Sequence, residues 1–540
     1  MNGCAVGPNY RTPETHAPAT WSTTQPESPA TQPALSATQP APPASQLSLP
    51  TTRPADVATW WRSLHDPLLD SLIDRAVASN LDLRLAEARV REARAQRGVV
   101  AADLWPQVGV SAAYSYSGSS LNTGPKPQGT PGLGAQVGSA ALNSVGGALK
   151  AGQPVSVAGV SEDVLNQVAS TVIDNKLGKT GTSVSRNQNL FQAGFDATWE
   201  LDVFGGIRRA VEAADADIAA SEESRRDALV TLLAEVALNY VQLRGSQQRL
   251  VIARENIKSQ QNTVELTSDL LRVGLASELD VSQAKALLAS TQSQVPVLQS
   301  AILQSIYQLS VLLAQPPGAL LAELEKDAPI PATPPEVPIG LPSDLLRRRP
   351  DVRTAERLLA AATAQIGVAT ADLYPKFSLT GSFGPQSRDI NHILENNSLA
   401  WSIGPGISWP ILDGWRIRSN IEVQNARQEQ ALTTFEKTIL VAFQDVETAL
   451  VTYTNEQVRY QSLAEAVAFN QRSADLSYDL YRQGLTAFLN VLESQRSLYV
   501  SQDALVQSQS VAVTNLIALY KALGGGWEME AKHDSSGAKY

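Results

Sequence analysis

The chain has 540 residues, 43% hydrophobic and 6% aromatic, with a formal net charge of −10. That acidic balance argues against a nucleic-acid partner, and a single cysteine excludes an intrachain disulfide. No apolar run reaches the 18 or more residues of a membrane-spanning helix, and few aromatics among many Ala, Ser and Gln suit long helices with narrow seams better than one thick core.

Met1-Asn2-Gly3-Cys4 ends like a lipoprotein signal, with Gly3-Cys4 at the cleavage point. Cys4 is therefore the expected acylation site, and one lipidated residue tethers a protein without spanning the membrane. Residues 11 to 56 are rich in Pro, Thr, Ala and Ser, so residues 1–56 form a lipidated linker rather than a core. Trp60-Trp61 and Asp66-Pro67 open a helix to about Ser79, and a second helix runs from Leu81 to Asp103. Trp105-Pro106 ends it. Then Val108, Val110, Ala112, Tyr114 and Tyr116 alternate with Gln107, Gly109, Ser111, Ala113 and Ser115, the period of a two-faced strand.

A Gly-, Ser- and Asn-rich insertion fills about 117–189. A second alternating stretch follows, with Phe191, Phe195, Trp199 and Leu201 on one face and Gln192, Asp196, Thr198 and Glu200 on the other. From Ile207 to Leu271 an apolar residue recurs every seven positions: Leu229, Val236, Leu243, Leu250, Ile257, Val264, Leu271. A strict seven-residue repeat predicts a supercoiled helix, up to roughly 100 Å long at 1.5 Å per residue. Gly274 reverses it, and a helix returns from about Ser277 to Ala314. Residues 315–342 are Pro-rich and join two halves.

The second half, 343–523, repeats the plan of 57–314. Ser343 and Asp344 can cap a short helix ending at Arg347-Arg348-Arg349, and Pro350 opens the next. Asp372-Leu373-Tyr374-Pro375 matches Asp103-Leu104-Trp105-Pro106 at an offset of 269. Trp199 and Trp409, Ile207-Arg208 and Ile417-Arg418, and Arg272-x-Gly-Leu and Arg482-x-Gly-Leu all match at 210, so the first half carries about 59 extra residues between its strands. Lys376 to Phe383 and Trp401 to Trp409 alternate as strands, with Pro405 implying a local break or bulge. The seven-residue repeat returns at Ile439, Val446, Tyr453, Tyr460, Val467, Ala474 and Tyr481, and a helix from about Phe488 to Leu523 follows the Gly484 turn. Gly524 to Tyr540 is a polar, flexible tail.

Four apolar-out, polar-in strands with aromatic ends fit a membrane barrel, although alternation alone fits a half-buried soluble sheet as well. Four strands fall short of the roughly eight a membrane barrel needs, so several chains must share one; two would give a filled interior and three a wider bore. Catalytic signatures are missing. Gly178-Lys179-Thr180 lacks the glycine a phosphate loop needs at Ile173, and His16, His65, His392 and His533 are too scattered for a metal cluster. No cofactor and no enzymatic activity are expected.

The stretch LPSDLLRRRPDVRTAERLLAAATAQIGVATADLYPKFSLTGSF, Leu341 to Phe383, closely resembles the signature of the outer membrane factor family, the TolC-type exit ducts of efflux and secretion systems, and its lipoprotein (NodT-type) branch in particular. The resemblance implies a mainly α fold: a long coiled-coil periplasmic tube plus four β-strands per protomer, the barrel completed by a homotrimer in the outer membrane. It implies the exit channel of a tripartite efflux system, working with a periplasmic adaptor (membrane fusion) protein and an inner-membrane transporter of the proton-driven resistance-nodulation-division type. It places the Pro-rich linker in a belt around the tube. It implies that the turns Gly274-Leu275-Ala276-Ser277 and Gly484-Leu485-Thr486-Ala487 receive the adaptor. It assigns a periplasmic gate to Asp280, Tyr481, Asn490 and Glu493, with Asp280 and Tyr481 bonded across helices. The family commonly has two acids where this chain has Asn490 and Glu493. The rival from another class is a periplasmic coiled-coil scaffold without a pore.

Overall fold

The computed structural model describes residues 5–14, 18, 21, 49–51, 57–118, 187–334, 336–338 and 342–528. Cys4, most of the 117–189 insertion and the end of the tail lie outside them. The elements are β1 (Leu49–Thr51), α1 (Pro67–Ser79), α2 (Leu81–Ala102), β2 (Gln107–Gly118), β3 (Asn187–Leu201), α3 (Gly206–Arg272), α4 (Glu278–Gln292), α5 (Gln294–Leu312), α6 (Leu321–Leu324), β4 (Glu336–Pro338), α7 (Pro342–Arg348), α8 (Pro350–Ala371), β5 (Lys376–Ser387), β6 (Leu399–Ser408), α9 (Arg416–Arg482) and α10 (Phe488–Ala522). The chain is mostly helical. Both α3 and α9 have 67 residues, and their ends lie 210 positions apart.

Two compact units are distinguishable, one made of residues 1–10, 95–215 and 360–429, the other of 11–94, 216–359 and 430–540. The first holds an antiparallel sheet in the order β2-β3-β5-β6. The period-2 sequence sets its two faces. Val110, Phe195, Phe383 and Trp401 stand side by side across all four strands, and the outer two are 76% and 74% exposed. One residue along, Gly109, Asp196, Ser382 and Ser402 form a polar row on the other face. There Ser111 donates to Asp196 at 2.6 Å, and the hydroxyls of Ser382 and Ser402 are 2.8 Å apart.

The corners where strands meet helices are built alike. The Trp199 indole donates to the Leu104 carbonyl and the Trp409 indole to the Leu373 carbonyl, both at 3.0 Å. Asp202 accepts from the Ile207 and Arg208 amides at the start of α3, and Asp413 from the Trp415 and Ile417 amides at the start of α9. Pro405 does not break β6 as the sequence suggested. It sits in register opposite Leu379, and among the described residues β6 pairs with β5 alone. The interruption falls between β3 and β5 instead, where Gly194 and Gly384 face each other. A Cβ at Gly384 would lie 2.1 Å from the Ala193 carbonyl oxygen.

In the second unit Asp66 caps α1, accepting from the Leu68 and Leu69 amides, and takes a 2.6 Å bond from the Tyr240 hydroxyl. Burial, and then that bond, push the Tyr240 phenol up, so it stays a donor. Trp60 stacks on Tyr520 at 5.3 Å. Asn80 caps α2 through the Asp82 and Leu83 amides and donates to the Leu312 carbonyl at 2.8 Å. The seven-residue line is buried through Leu229, Val236, Leu243 and Leu250, and again at Ile439, Val446 and Tyr453.

Two helical expectations change. The return helix after Gly274 is two helices, α4 and α5, parted at Ser293. Pro296 offers no amide to the Gln292 carbonyl, and its ring crowds it. The combined stretch Glu278–Leu312 is, by length and composition, apolar enough to cross a membrane, which the sequence reading did not anticipate. A seam of half-exposed aliphatics raises its hydropathy although Glu278, Asp280 and Lys285 interrupt it.

Ala314 ends α5 at φ +55, with its amide donating to Val311 and the Gln315 amide to Ser310. Glycine usually fills this left-handed position, and a Cβ there costs about 1–2 kcal/mol. Ala314→Gly is expected to stabilise the protein by about 0.5–1 kcal/mol after the added freedom of the unfolded chain is counted. A thermal midpoint that stays level or falls would contradict this.

Candidate gate and docking tips at the helix reversals

Helices α3 and α9 end in the same way. Gly274 has φ +77 and Gly484 φ +73. The Gly274 amide donates to Leu271 and the Leu275 amide to Leu270; the Gly484 amide donates to Tyr481 and the Leu485 amide to Leu480, all at 2.8–2.9 Å. These are the paired bonds of a Schellman reversal. Nothing lies within 4 Å of a Cβ at either glycine, so the left-handed backbone, not lack of space, selects glycine. Each turn presents a bare leucine: Leu275 is 75% and Leu485 69% exposed. Ala276 and Thr486 are half-buried, whereas Ser277 and Ala487 are exposed.

Beyond the glycines the two turns differ. Ser277 and Asp280 form a reciprocal capping box: the Asp280 amide donates to the Ser277 hydroxyl at 3.2 Å and the Ser277 amide to the Asp280 carboxylate at 3.0 Å. Their counterparts 210 positions on are Ala487 and Asn490. Ala487 has no side chain to cap with, and exposed Asn490 donates to Thr486 at 2.7 Å instead.

Tyr481, Phe488, Val491 and Ala284 pack into one buried cluster, with the Tyr481 and Phe488 rings 5.4 Å apart. Tyr481 is 8% exposed. Its hydroxyl is buried and has no hydrogen-bond partner among the described residues. Burial, and then the nearby Asp280 charge, push the phenol above its ordinary value. The expected Tyr481–Asp280 hydrogen bond is therefore not made within the protomer. The carboxylate reaches the neighbourhood of the phenol but is committed to the cap of α4. Glu493 stands exposed on α10, one turn beyond Asn490.

A polar seam runs up from this cluster and was missed in the sequence. Gln495 donates to Thr263 at 2.7 Å, Asn256 to Gln502 at 2.8 Å, and Arg249 grips Asp503 through two bonds of 2.6 and 3.1 Å. Gln260 is buried with neither end of its amide bonded among the described residues. A signal was present. Ala253, Gln260 and Thr267, all buried, keep the same seven-residue spacing three positions after Leu250, Ile257 and Val264. Following apolar residues alone hides a helix line whose members are partly polar.

The chain is similar to known proteins over nearly its whole length. A family model described as outer membrane efflux protein matches residues 72–315 and 341–525. The toluene efflux pump outer membrane protein TtgC of Pseudomonas putida is 31% identical over 532 residues, 98% of this chain and 93% of the relative. Nodulation protein T of Rhizobium leguminosarum bv. trifolii is 29% identical over 98% of this chain and 96% of its own length. The solved structure of the outer-membrane channel OprN superposes with a TM-score of 0.77 at 33% identity, over 97% of this chain and all of that one.

Proposed function

The chain belongs to the outer membrane efflux protein family and is an outer-membrane efflux channel, and on that premise we propose that three copies share one barrel and one periplasmic helical tube. The observation that carries this reading is the four-stranded sheet, whose apolar face is bare from edge to edge and whose polar face holds Asp196, Ser382 and Ser402. A bilayer suits the first face and a water-filled lumen the second. The scaffold alternative gives the bare face nothing to do.

In this reading the chain is the passive exit of a tripartite system, with energy supplied by an inner-membrane transporter of the resistance-nodulation-division type. The exposed Leu275 and Leu485 tips, on turns Gly274–Ser277 and Gly484–Ala487, take the periplasmic adaptor. Cys4 is expected to carry a lipid, and protease added to intact cells is expected to cut within the 117–189 insertion if it cuts any surface loop. Mass spectrometry of protein extracted from membranes should find an adduct on Cys4; an unmodified thiol would remove the anchor from this scheme.

Asn490 and Glu493 would face the narrow end of the tube, and Glu493, repeated by symmetry, would give it an acidic ring. Planar-bilayer recording tests both points. Conductance is expected only from trimers, and Glu493→Gln is expected to lower cation preference severalfold without widening the pore. A conducting monomer would refute the shared barrel.

A further inference from the structure

The corners that lead into α3 and α9 correspond residue by residue, and the chain itself fills only the first. There Gly205 stands at φ +82, and a Cβ on it would lie 2.6 Å from the Cα of Ala5. Residues 5–9 occupy that corner. The Val6 amide donates to the Phe204 carbonyl at 3.0 Å, and Arg209 donates to the carbonyls of Val6 and Gly7 and to the Asn9 side chain. Phe204 stacks on Tyr374 at 4.5 Å, and Arg208 donates to the Asp202 carboxylate at 3.0 Å. The ring and both arginines are therefore engaged within the chain.

The second corner, 210 positions on, is bare. Trp415 replaces Gly205 and keeps the left-handed backbone at φ +69, which strains a bulky residue. Its side chain is 65% exposed, so burial within the protomer does not offset that strain. Arg418, the counterpart of Arg208, lies over the Trp415 ring at 4.7 Å from its centroid. Neither Arg418 nor Arg416 has a carboxylate partner among the described residues. Asp413 does not compete for them, because its carboxylate takes the Trp415 and Ile417 amides.

The order along the chain is that of a lipid interface. Trp401, Ile403, Ile407, Trp409 and Ile411 carry one exposed apolar stripe off the end of β6; Leu412, 95% exposed, and Trp415 follow it, and Arg416 and Arg418 open α9. Acyl chains suit the stripe, an indole suits the boundary with the headgroups, and guanidinium groups suit phosphate. We infer that this corner binds an anionic phospholipid of the leaflet facing the periplasm. Its phosphate lies on Arg416 and Arg418 and its acyl chains run along Ile411, Leu412 and Trp415. The ligand's charge complements the two arginines, and its site continues the apolar face of the sheet. This rests on the membrane reading of that face and adds a specific lipid to it.

The assembled full chain is reconstituted in vesicles of phosphatidylethanolamine with a minor share of phosphatidylglycerol, then re-extracted in mild detergent, and the retained lipid is measured. The unaltered protein is expected to retain phosphatidylglycerol in preference to phosphatidylethanolamine. R416Q with R418Q is expected to cut that retention at least about fivefold, the contribution of a single basic residue near an anionic surface. W415G is expected to cut it too, while its thermal midpoint stays level or rises, since glycine accepts φ +69 without strain. Equal retention by all three proteins would overturn the lipid site and leave the membrane-facing sheet in place. If retention is unchanged and W415G dissociates the assembly, the corner is a contact between copies and the lipid site is overturned. A chain that does not insert into the vesicles at all would overturn both readings.

Discussion

Tyr481→Phe is expected to raise the open fraction of the assembled channel about a hundredfold while leaving the protomer as stable as before or more so. The phenol is buried against Phe488, Val491 and Ala284, and its hydroxyl has no partner within the protomer among the described residues. Buried polar groups are nearly always bonded, so in the proposed trimer this orphan would take a partner on the neighbouring copy. One such bond contributes roughly 1 kcal/mol, and three symmetry-related ones about 3 kcal/mol, which is about two powers of ten in the closed-to-open ratio. Within the protomer the substitution only removes a desolvated hydroxyl. Asp280→Ala should act differently. It breaks the capping box with Ser277, costs about 1 kcal/mol at the start of α4 and loosens the tip. Single-channel recording separates the two, and an unaltered open fraction for Tyr481→Phe would place the gate elsewhere.

The largest loss of stability is expected from Arg349→Ala. Arg349 lies between α7 and α8 and is buried. It donates to Asp351 twice, at 2.7 and 3.0 Å, to Asp445 on α9 at 3.0 Å, and to the Ala522 carbonyl at the end of α10 at 3.0 Å. Burial alone would push the guanidinium down, but the bond to Asp351 and the charges of Asp351 and Asp445 outweigh it and hold it above its ordinary value. Truncation leaves two carboxylates and a carbonyl without their cation. Breaking a buried pair costs about 3–5 kcal/mol, and the partly exposed Asp445 favours the lower end.

The same variant should change the pH profile. Burial, and then the Asp351 charge, already raise Asp227, while Lys521 and Arg349 pull it back. Without Arg349 it rises further. A carboxyl held above its unfolded value stabilises the fold while protonated, and that contribution fades as pH rises through the carboxylate range. Arg349→Ala should therefore lose stability more steeply than the unaltered protein as pH rises from about 4, near the unfolded carboxylate value. Arg349→Lys should recover only part of the loss, because an ammonium cannot span Asp351 in two bonds. Denaturation that reports less than about 1 kcal/mol for Arg349→Ala would remove the clamp from this account.

Helices and strands were legible because their periods are local. The seven-residue line from Leu229 to Leu250 is buried, the alternation at Val110, Phe195, Phe383 and Trp401 gives one bare face, and Gly274 and Gly484 turn in the left-handed region their positions required. The family resemblance in Leu341 to Phe383 added the function, and residue matches are the ground on which a gate is proposed at the reversals. The partners of individual side chains were not legible. Sequence put Asp280 and Tyr481 near each other, but a capping box four residues long was a closer partner for the carboxylate than a phenol on another helix. Arg349 read as a helix end, because its ligands Asp445 and Ala522 are roughly 100 and 170 residues away, a separation no local period reports. Period and turn chemistry, set by neighbours along the chain, fixed the elements and their faces; which buried donor meets which acceptor was decided only where tertiary packing brought distant helices within 3 Å.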